Sequence, residues 1–131
     1  MASIFSRIIS GEIPCYKVAE SESCIAFLDV NPLAKGHVLV VPKKEMDYIF
    51  DIDDELYEEL FVFSKKIAKA IQKIVPCTKV GMSVIGLEVP HAHIHLVPIN
   101  NISDLNFSGP RVSLKTSEFI ELANQIQDVL N

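Results

Sequence analysis

The chain has 131 residues, 49% hydrophobic and 22% charged, a globular composition for about one domain that excludes disordered, collagenous or low-complexity classes. Its formal net charge is −5, from 12 Lys+Arg against 17 Asp+Glu. It lacks the basic excess that wraps a nucleic-acid backbone, so no nucleic-acid polymer is expected as a partner, although a single nucleotide needs only local donors.

Three cysteines, Cys15, Cys24 and Cys77, are widely spaced and form no C-x-x-C. Neither a disulfide framework nor a tetrathiolate zinc site is expected, and a reducing compartment fits better. No signal-peptide pattern opens the chain, and no apolar run nears the ~20 residues of a membrane span. The expectation is a cytoplasmic protein without a membrane partner.

In chain order, Ile4, Phe5, Ile8 and Ile9 predict a short amphipathic helix over 4–9, ended by Ser10-Gly11-Glu12-Ile13-Pro14. Residues 16–19 and 24–28 read as strands around the polar turn Glu20-Ser21-Glu22-Ser23. Asp29-Val30-Asn31-Pro32 is a turn. Gly36 leads into a β-branched run over 37–41, closed by Pro42, that suits a central strand covered on both faces. The strong helix spans 53–74, where Leu56, Leu60, Phe63, Ile67, Ile71 and Ile74 make one apolar stripe. Acids crowd its start and lysines its end, as the helix dipole favours, and Pro76 stops it. Strands are expected over 79–85 and from His91 to before Pro98, with a turn at Gly86 between them. Residues 100–113 read as loop and 117–130 as a last helix, with Ile120 on its apolar side. The class is therefore α+β, a single domain over 1–131 with a mostly antiparallel five-stranded sheet, a long central helix and short terminal helices.

Three of the four histidines fall within five residues, in His91-Ala92-His93-Ile94-His95-Leu96-Val97-Pro98. In a strand they project on one side, ~6.6–6.8 Å apart along the chain. Ala92, Ile94 and Leu96 project on the other and can pack under a helix. Three readings compete. The rings are simply satisfied or solvated. They hold a metal, which collinear positions on one strand do poorly without a further ligand. Or one imidazole is a nucleophile, largely neutral at pH 7 from its ordinary pKa of ~6.5, with its neighbours discouraging its protonation.

The histidine motif resembles that of the histidine triad nucleotide-binding proteins. So do Ile4-Phe5-Ser6-Arg7-Ile8-Ile9-Ser10-Gly11-Glu12-Ile13-Pro14, Ala26-Phe27-Leu28-Asp29-Val30-Asn31-Pro32 and Gly36-His37-Val38-Leu39-Val40-Val41-Pro42-Lys43-Lys44, in the family's order. The resemblance implies that His93 attacks the α-phosphorus of a nucleotide, giving a covalent nucleotidyl-histidine that water hydrolyses. It implies that the His91 carbonyl fixes the tautomer of His93, that His95 donates to the phosphate, and that His37 and the His91 side chain support them. Asp29 would accept from the ribose hydroxyls. Ile4, Phe5, Ile8, Phe27, Leu39 and Val30 would enclose the base. Read without the family, those apolar residues are core, Asp29 is a turn former and His37 is structural.

The implied activity is that of a purine nucleoside phosphoramidase. The alternatives are a dinucleoside polyphosphate hydrolase, a nucleotide-binding interaction module with little turnover, or a histidine-ligated metal protein. The resemblance also implies a homodimer, with no cofactor beyond magnesium accompanying a polyphosphate substrate. Two departures stand out. Ser3-Ile4-Phe5-Ser6 occupies the place where many relatives carry a zinc-binding C-x-x-C, so that site should be absent. Gly86-Leu87-Glu88-Val89-Pro90 replaces the family's phosphate-contacting Gln and Ser or Thr, putting Glu88 near the phosphate. Ser83 is the nearest match to an upstream Asn of the family.

Overall fold

The computed structural model describes residues 2–131; Met1, the first residue of the expected domain, lies outside them. The element order is α1 (Ile4–Ile9), β1 (Lys17–Glu20), β2 (Cys24–Leu28), β3 (Val38–Pro42), α2 (Asp54–Ile74), β4 (Lys79–Ser83), β5 (Ile94–Ile99) and α3 (Thr116–Leu130). The five strands form one sheet in the order β1-β2-β3-β5-β4. Every pairing is antiparallel. The fold is α+β, as the strand and helix patterns lead one to expect.

Alternation along the central strands divides the interior into two layers. Cys24, Ala26 and Leu28 of β2 and Val38 and Val40 of β3 join Leu60, Ile67 and Ile71 of α2 in the main core. Ile25, Phe27, Leu39 and Val41 point the other way and meet Phe5 of α1. Both strands are buried along their whole length. This two-sided burial explains why their sequences read as continuous apolar runs rather than alternating ones.

Helix α2 starts one residue later than the apolar stripe suggests, because Asp53 is its cap: the Asp53 carboxylate accepts from the Leu56 N–H at 2.9 Å. Its buried stripe includes Ser64 and Ala70, while Leu56 and Phe63 are only partly buried. Ser64 is tolerated there because its hydroxyl donates to the Leu60 carbonyl at 2.8 Å. On α3, Ile120 is half exposed, at 50%, and does not belong to the core.

Three expectations need correction. The strand predicted from His91 to before Pro98 runs instead from Ile94 to Ile99: the backbone before it bonds elsewhere, with the His91 N–H donating to the Val89 carbonyl and the Ala92 N–H to the Met46 carbonyl, and beyond it Pro98 and Ile99 pair with Val80 and Lys79 of β4. The strand predicted to Ile85 ends at Ser83, the cross-strand partner of His95. The stretch 100–113 contains a 3-10 turn, Ile102–Leu105, with Asp104 bonding back to the Asn100 and Asn101 N–H groups; a second 3-10 turn, Ile49–Asp51, precedes α2.

Gly36 sets the entry to β3. Its φ of +99 is a left-handed value, and an added Cβ would lie 2.9 Å from Val75 Cγ2 and 3.1 Å from Pro98 Cγ. Gly36→Ala should therefore lower unfolding stability by about 1–3 kcal/mol, read as a reduced urea midpoint with unchanged m-value.

Candidate active site

The residues before β5 turn two imidazoles onto the α1 side of the sheet. His93 Nδ1 lies 2.7 Å from the His91 carbonyl oxygen. A carbonyl only accepts, so Nδ1 carries the hydrogen and Nε2 keeps a free lone pair. The His91 ring is placed the same way: its Nε2 lies 2.8 Å from the Pro42 carbonyl, so Nε2–H donates and Nδ1 is left to accept. The His93 and His95 ring centroids are 4.8 Å apart, closer than a regular strand spacing gives.

A second chain of bonds fixes the other pair. The Leu33 N–H donates to His37 Nδ1 at 3.0 Å. His37 Nε2 must therefore carry its hydrogen, which it donates to His95 Nδ1 at 3.0 Å. That leaves His95 with its hydrogen on Nε2, as a neutral donor. Asp29 Oδ2 lies 3.6 Å from His37 Nε2. That contact is no ion pair at neutral pH, because burial, then the charges of Arg111 and His93, hold the His37 pKa down to about 4. Burial first and then His93 push His95 down to about 3. Burial also lowers His93, against the opposing pull of its bond to the His91 carbonyl.

A cavity of about 460 Å³ opens beside His93 and His95. Ile4, Phe5, Ile8, Phe27, Val30 and Leu39 line it, with Asp29 and Glu88 as its acids. His37 and His91 are nearly inaccessible, at 1% and 0% exposure, and support the rings in front of them. Ser83 stands apart from the cavity lining; the wall is built instead by the segment after β4, including Leu87, whose side chain is 88% exposed. Asp29 has a structural task as well, since its Oδ1 accepts from the Asn31 N–H at 2.8 Å. A wider groove of about 970 Å³ lies between the 21–23 turn and α2, but no histidine lines it.

Two lining residues were invisible to pattern reading. Phe107 packs against the His95 ring at 4.6 Å between centroids. Among the described residues, Arg111 is the one Lys or Arg lining the cavity. Its guanidinium sits 5.7 Å from the Phe107 ring centroid and donates to the carbonyls of Asn31, at 2.9 Å, and Phe107, at 3.1 Å. The only cue in the sequence is that Arg111 is the sole Lys or Arg between Lys79 and Lys115.

Among the described residues, Asp29, His37 and His95 present donor atoms within 4.8 Å of one another. Metal ligation through His37 Nε2 needs a bare lone pair there. That moves the hydrogen to Nδ1, against the Leu33 N–H. The hydrogen-bond pattern thus disfavours an ion at this cluster.

The depressed histidines link stability to pH. The unfolded chain protonates them near ~6.5 while the folded state holds them neutral, so the unfolded state binds more protons below that value. Their contribution is present above ~6.5 and is lost as pH falls through the window toward about 4 for His37. Urea unfolding across that window should show a smaller pH slope for His37→Gln than for the wild type.

The HIT domain profile matches residues 10–102. A HIT-like protein of Borreliella burgdorferi is 36% identical, with 94% of each chain covered. An adenosine 5′-monophosphoramidase of Schizosaccharomyces pombe is 32% identical, with 96% of each covered. A zinc-bound histidine triad family protein of Mycobacterium smegmatis superposes with a TM-score of 0.84 at 25% identity, covering 99% of this chain and 94% of that one. A thiolate zinc site does not fit this chain's Ser3 and Ser6, whose neutral hydroxyls are not thiolate ligands and are committed to hydrogen bonds with His91 and Glu45. The profile match and the breadth of these similarities establish that the chain belongs to the HIT domain family.

Proposed function

We propose that this protein is a nucleotide hydrolase or transferase acting at the α-phosphate, most simply a purine nucleoside phosphoramidase. The observation that carries the reading is the 2.7 Å bond from His93 Nδ1–H to the His91 carbonyl. It leaves a neutral imidazole with its Nε2 lone pair exposed to a cavity that can hold a nucleotide. The name of the yeast phosphoramidase relative points the same way.

In the proposed reaction Nε2 of His93 attacks the α-phosphorus. A P–N bond to the ring forms, the P–N bond to the amine breaks, and the amine leaves with a proton from water. The positive charge created on the ring is delocalised to Nδ1–H, which the His91 carbonyl already holds. His95 Nε2–H donates to the phosphate oxygens as their charge develops. Water then attacks the same phosphorus and releases the nucleoside monophosphate, restoring neutral His93. Phe5, Phe27 and Leu39 enclose the base, and Asp29 accepts from the ribose. His37 acts through His95 by setting its tautomer.

One observation favours the polyphosphate alternative: Arg111 makes no ion pair among the described residues, so its charge is available to a phosphate. Glu88, which also lines the cavity, favours a leaving group without negative charge. Rates on an adenylyl phosphoramidate and a diadenosine polyphosphate separate the two. A homodimer is part of the proposal. β4 is an edge strand, and Met82 on it is 43% exposed. A monomer mass in size exclusion would remove that part.

The deciding measurement is intact mass after brief reaction with the phosphoramidate. Wild type should carry a nucleotidyl adduct and His93→Ala none. An equal adduct on His93→Ala moves the nucleophile elsewhere, and nucleotide binding with no adduct and no turnover in wild type supports the interaction module instead.

A further inference from the structure

A polar network at the first turn of α1 takes no part in the proposed reaction, yet ends on its machinery. Glu45 Oε1 accepts from the Ser3 N–H at 2.6 Å and from the Ser6 hydroxyl at 2.7 Å. The Ser3 hydroxyl accepts from the Ser6 N–H at 3.0 Å. Its own hydrogen goes to His91 Nδ1 at 2.7 Å, the only direction left once His91 Nε2–H is given to Pro42. The His91 ring is thus held at both nitrogens, and its carbonyl holds His93. Phe5, between the two serines, lies edge-on to both rings, 5.8 Å from His91 and 4.9 Å from His93.

We infer that Glu45 is a positioning residue for His93, acting through Ser3, Ser6 and His91. The inference rests on the proposed role of His93 as nucleophile.

Glu45 is exposed and follows β3, 46 residues along the chain from His91, and it does not line the cavity. Nothing in its position suggests contact with substrate. Its carboxylate gathers two donors, and hydrogen bonds to an ionised acceptor are roughly twice as strong as neutral ones. The same bonds, that from the Ser3 N–H first, hold its pKa down to about 2, so it stays ionised through the neutral range. Without it, the Ser6 hydroxyl loses its acceptor. Ser6 Oγ is only 3.5 Å from His91 Nδ1 and would compete with Ser3 for that lone pair. Two donors contesting one acceptor turn the His91 ring and, with it, the short 91–93 backbone that sets the His93 tautomer. The Ser3 hydroxyl alone ties His91 Nδ1, and the Glu45 carboxylate keeps the Ser6 hydroxyl turned away from it.

The test combines kinetics on an adenylyl phosphoramidate with nitrogen NMR of the His93 ring in Glu45→Ala, Glu45→Gln and Ser6→Ala. Glu45→Ala should lower kcat about ten- to a hundredfold, the scale of a small misplacement of reacting groups. KM should move by less than about twofold, since base and ribose contacts are untouched. Its His93 ring should show mixed tautomers where the wild type shows hydrogen on Nδ1 alone. Glu45→Gln keeps an acceptor oxygen and should recover most of the rate. Ser6→Ala removes the competing hydroxyl and should retain the wild-type tautomer; mixed tautomers in that variant, where no second donor competes, would overturn the proposed route even where Glu45→Ala does not fold. A lowered Tm with wild-type kcat and an unchanged His93 signal would make Glu45 a mere staple of α1 and overturn the inference. So would a rise in KM alone, which would mean that the network shapes the pocket through Phe5. Full turnover in His93→Ala defeats the nucleophile reading by itself; the ring signal in Glu45→Ala still decides whether Glu45 sets the tautomer.

Discussion

A backbone carbonyl can accept a hydrogen bond but never donate one, and a backbone amide can only donate. All four imidazoles of this chain are oriented by that asymmetry. The His91 carbonyl assigns the hydrogen of His93, and the Pro42 carbonyl assigns that of His91. The Leu33 amide assigns His37, and His37 in turn assigns His95. These tautomers are deduced from the partners, and they leave no ring ambiguous. One consequence is that His93 keeps a lone pair on Nε2 and His95 an N–H on Nε2, so a bare ring nitrogen and a neutral donor line one cavity. Exchange the tautomer of His93 and that lone pair is lost; exchange that of His95 and the donor is lost.

Four buried imidazoles so close together would be intolerable if charged. Desolvation and mutual repulsion act in the same direction, and burial is the largest cause for His37, His93 and His95 alike. Asp29 and Glu88 oppose it at His93 without overturning it. Every buried side-chain nitrogen and oxygen among the described residues has a hydrogen-bond partner, so the cluster avoids the cost of an unsatisfied polar group. The sheet makes this possible. β2 and β3 are covered on both faces, and α1 closes the second face over the imidazoles.

Much of this was legible in the sequence because it depends on period. The stripe of α2, the apolar runs of β2 and β3 and the alternation of Ala92, Ile94 and Leu96 against the histidines are local patterns, and each element lies within a few residues of where its pattern puts it. What escaped depends on partners distant in sequence. The start of β5 at Ile94 is decided by Met46 and Val89, which take up the backbone before it. Ser83 looked like a substitute for a missing polar group, but β4 ends there and the chain builds the wall further on. Phe107 and Arg111 come from a stretch without periodicity, and only its return across the 31–32 turn gives them a place: the Val112 N–H donates to the Pro32 carbonyl at 2.8 Å. Glu45 is the extreme case. An exposed acid after a strand carries no signal, and its importance depends on serines 42 and 39 positions away.

The charge of the cavity bears on how it would handle phosphate. Its lining holds Asp29 and Glu88 against Arg111, and its histidines are neutral. A site built to hold a phosphate tightly in the ground state would use charged donors, worth about 1.5–3 kcal/mol each, rather than neutral ones at about 0.5–1.5. Neutral N–H donors grip an anion modestly and gain as its charge grows. That difference is what accelerates a reaction, since interactions equally strong in substrate and transition state leave kcat unchanged. Neutral imidazoles also release the product anion readily. In the proposed reaction the same burial that keeps His93 nucleophilic therefore keeps His95 from holding the nucleoside monophosphate too long. One cause, desolvation of the sheet face, would set both the attack and the release.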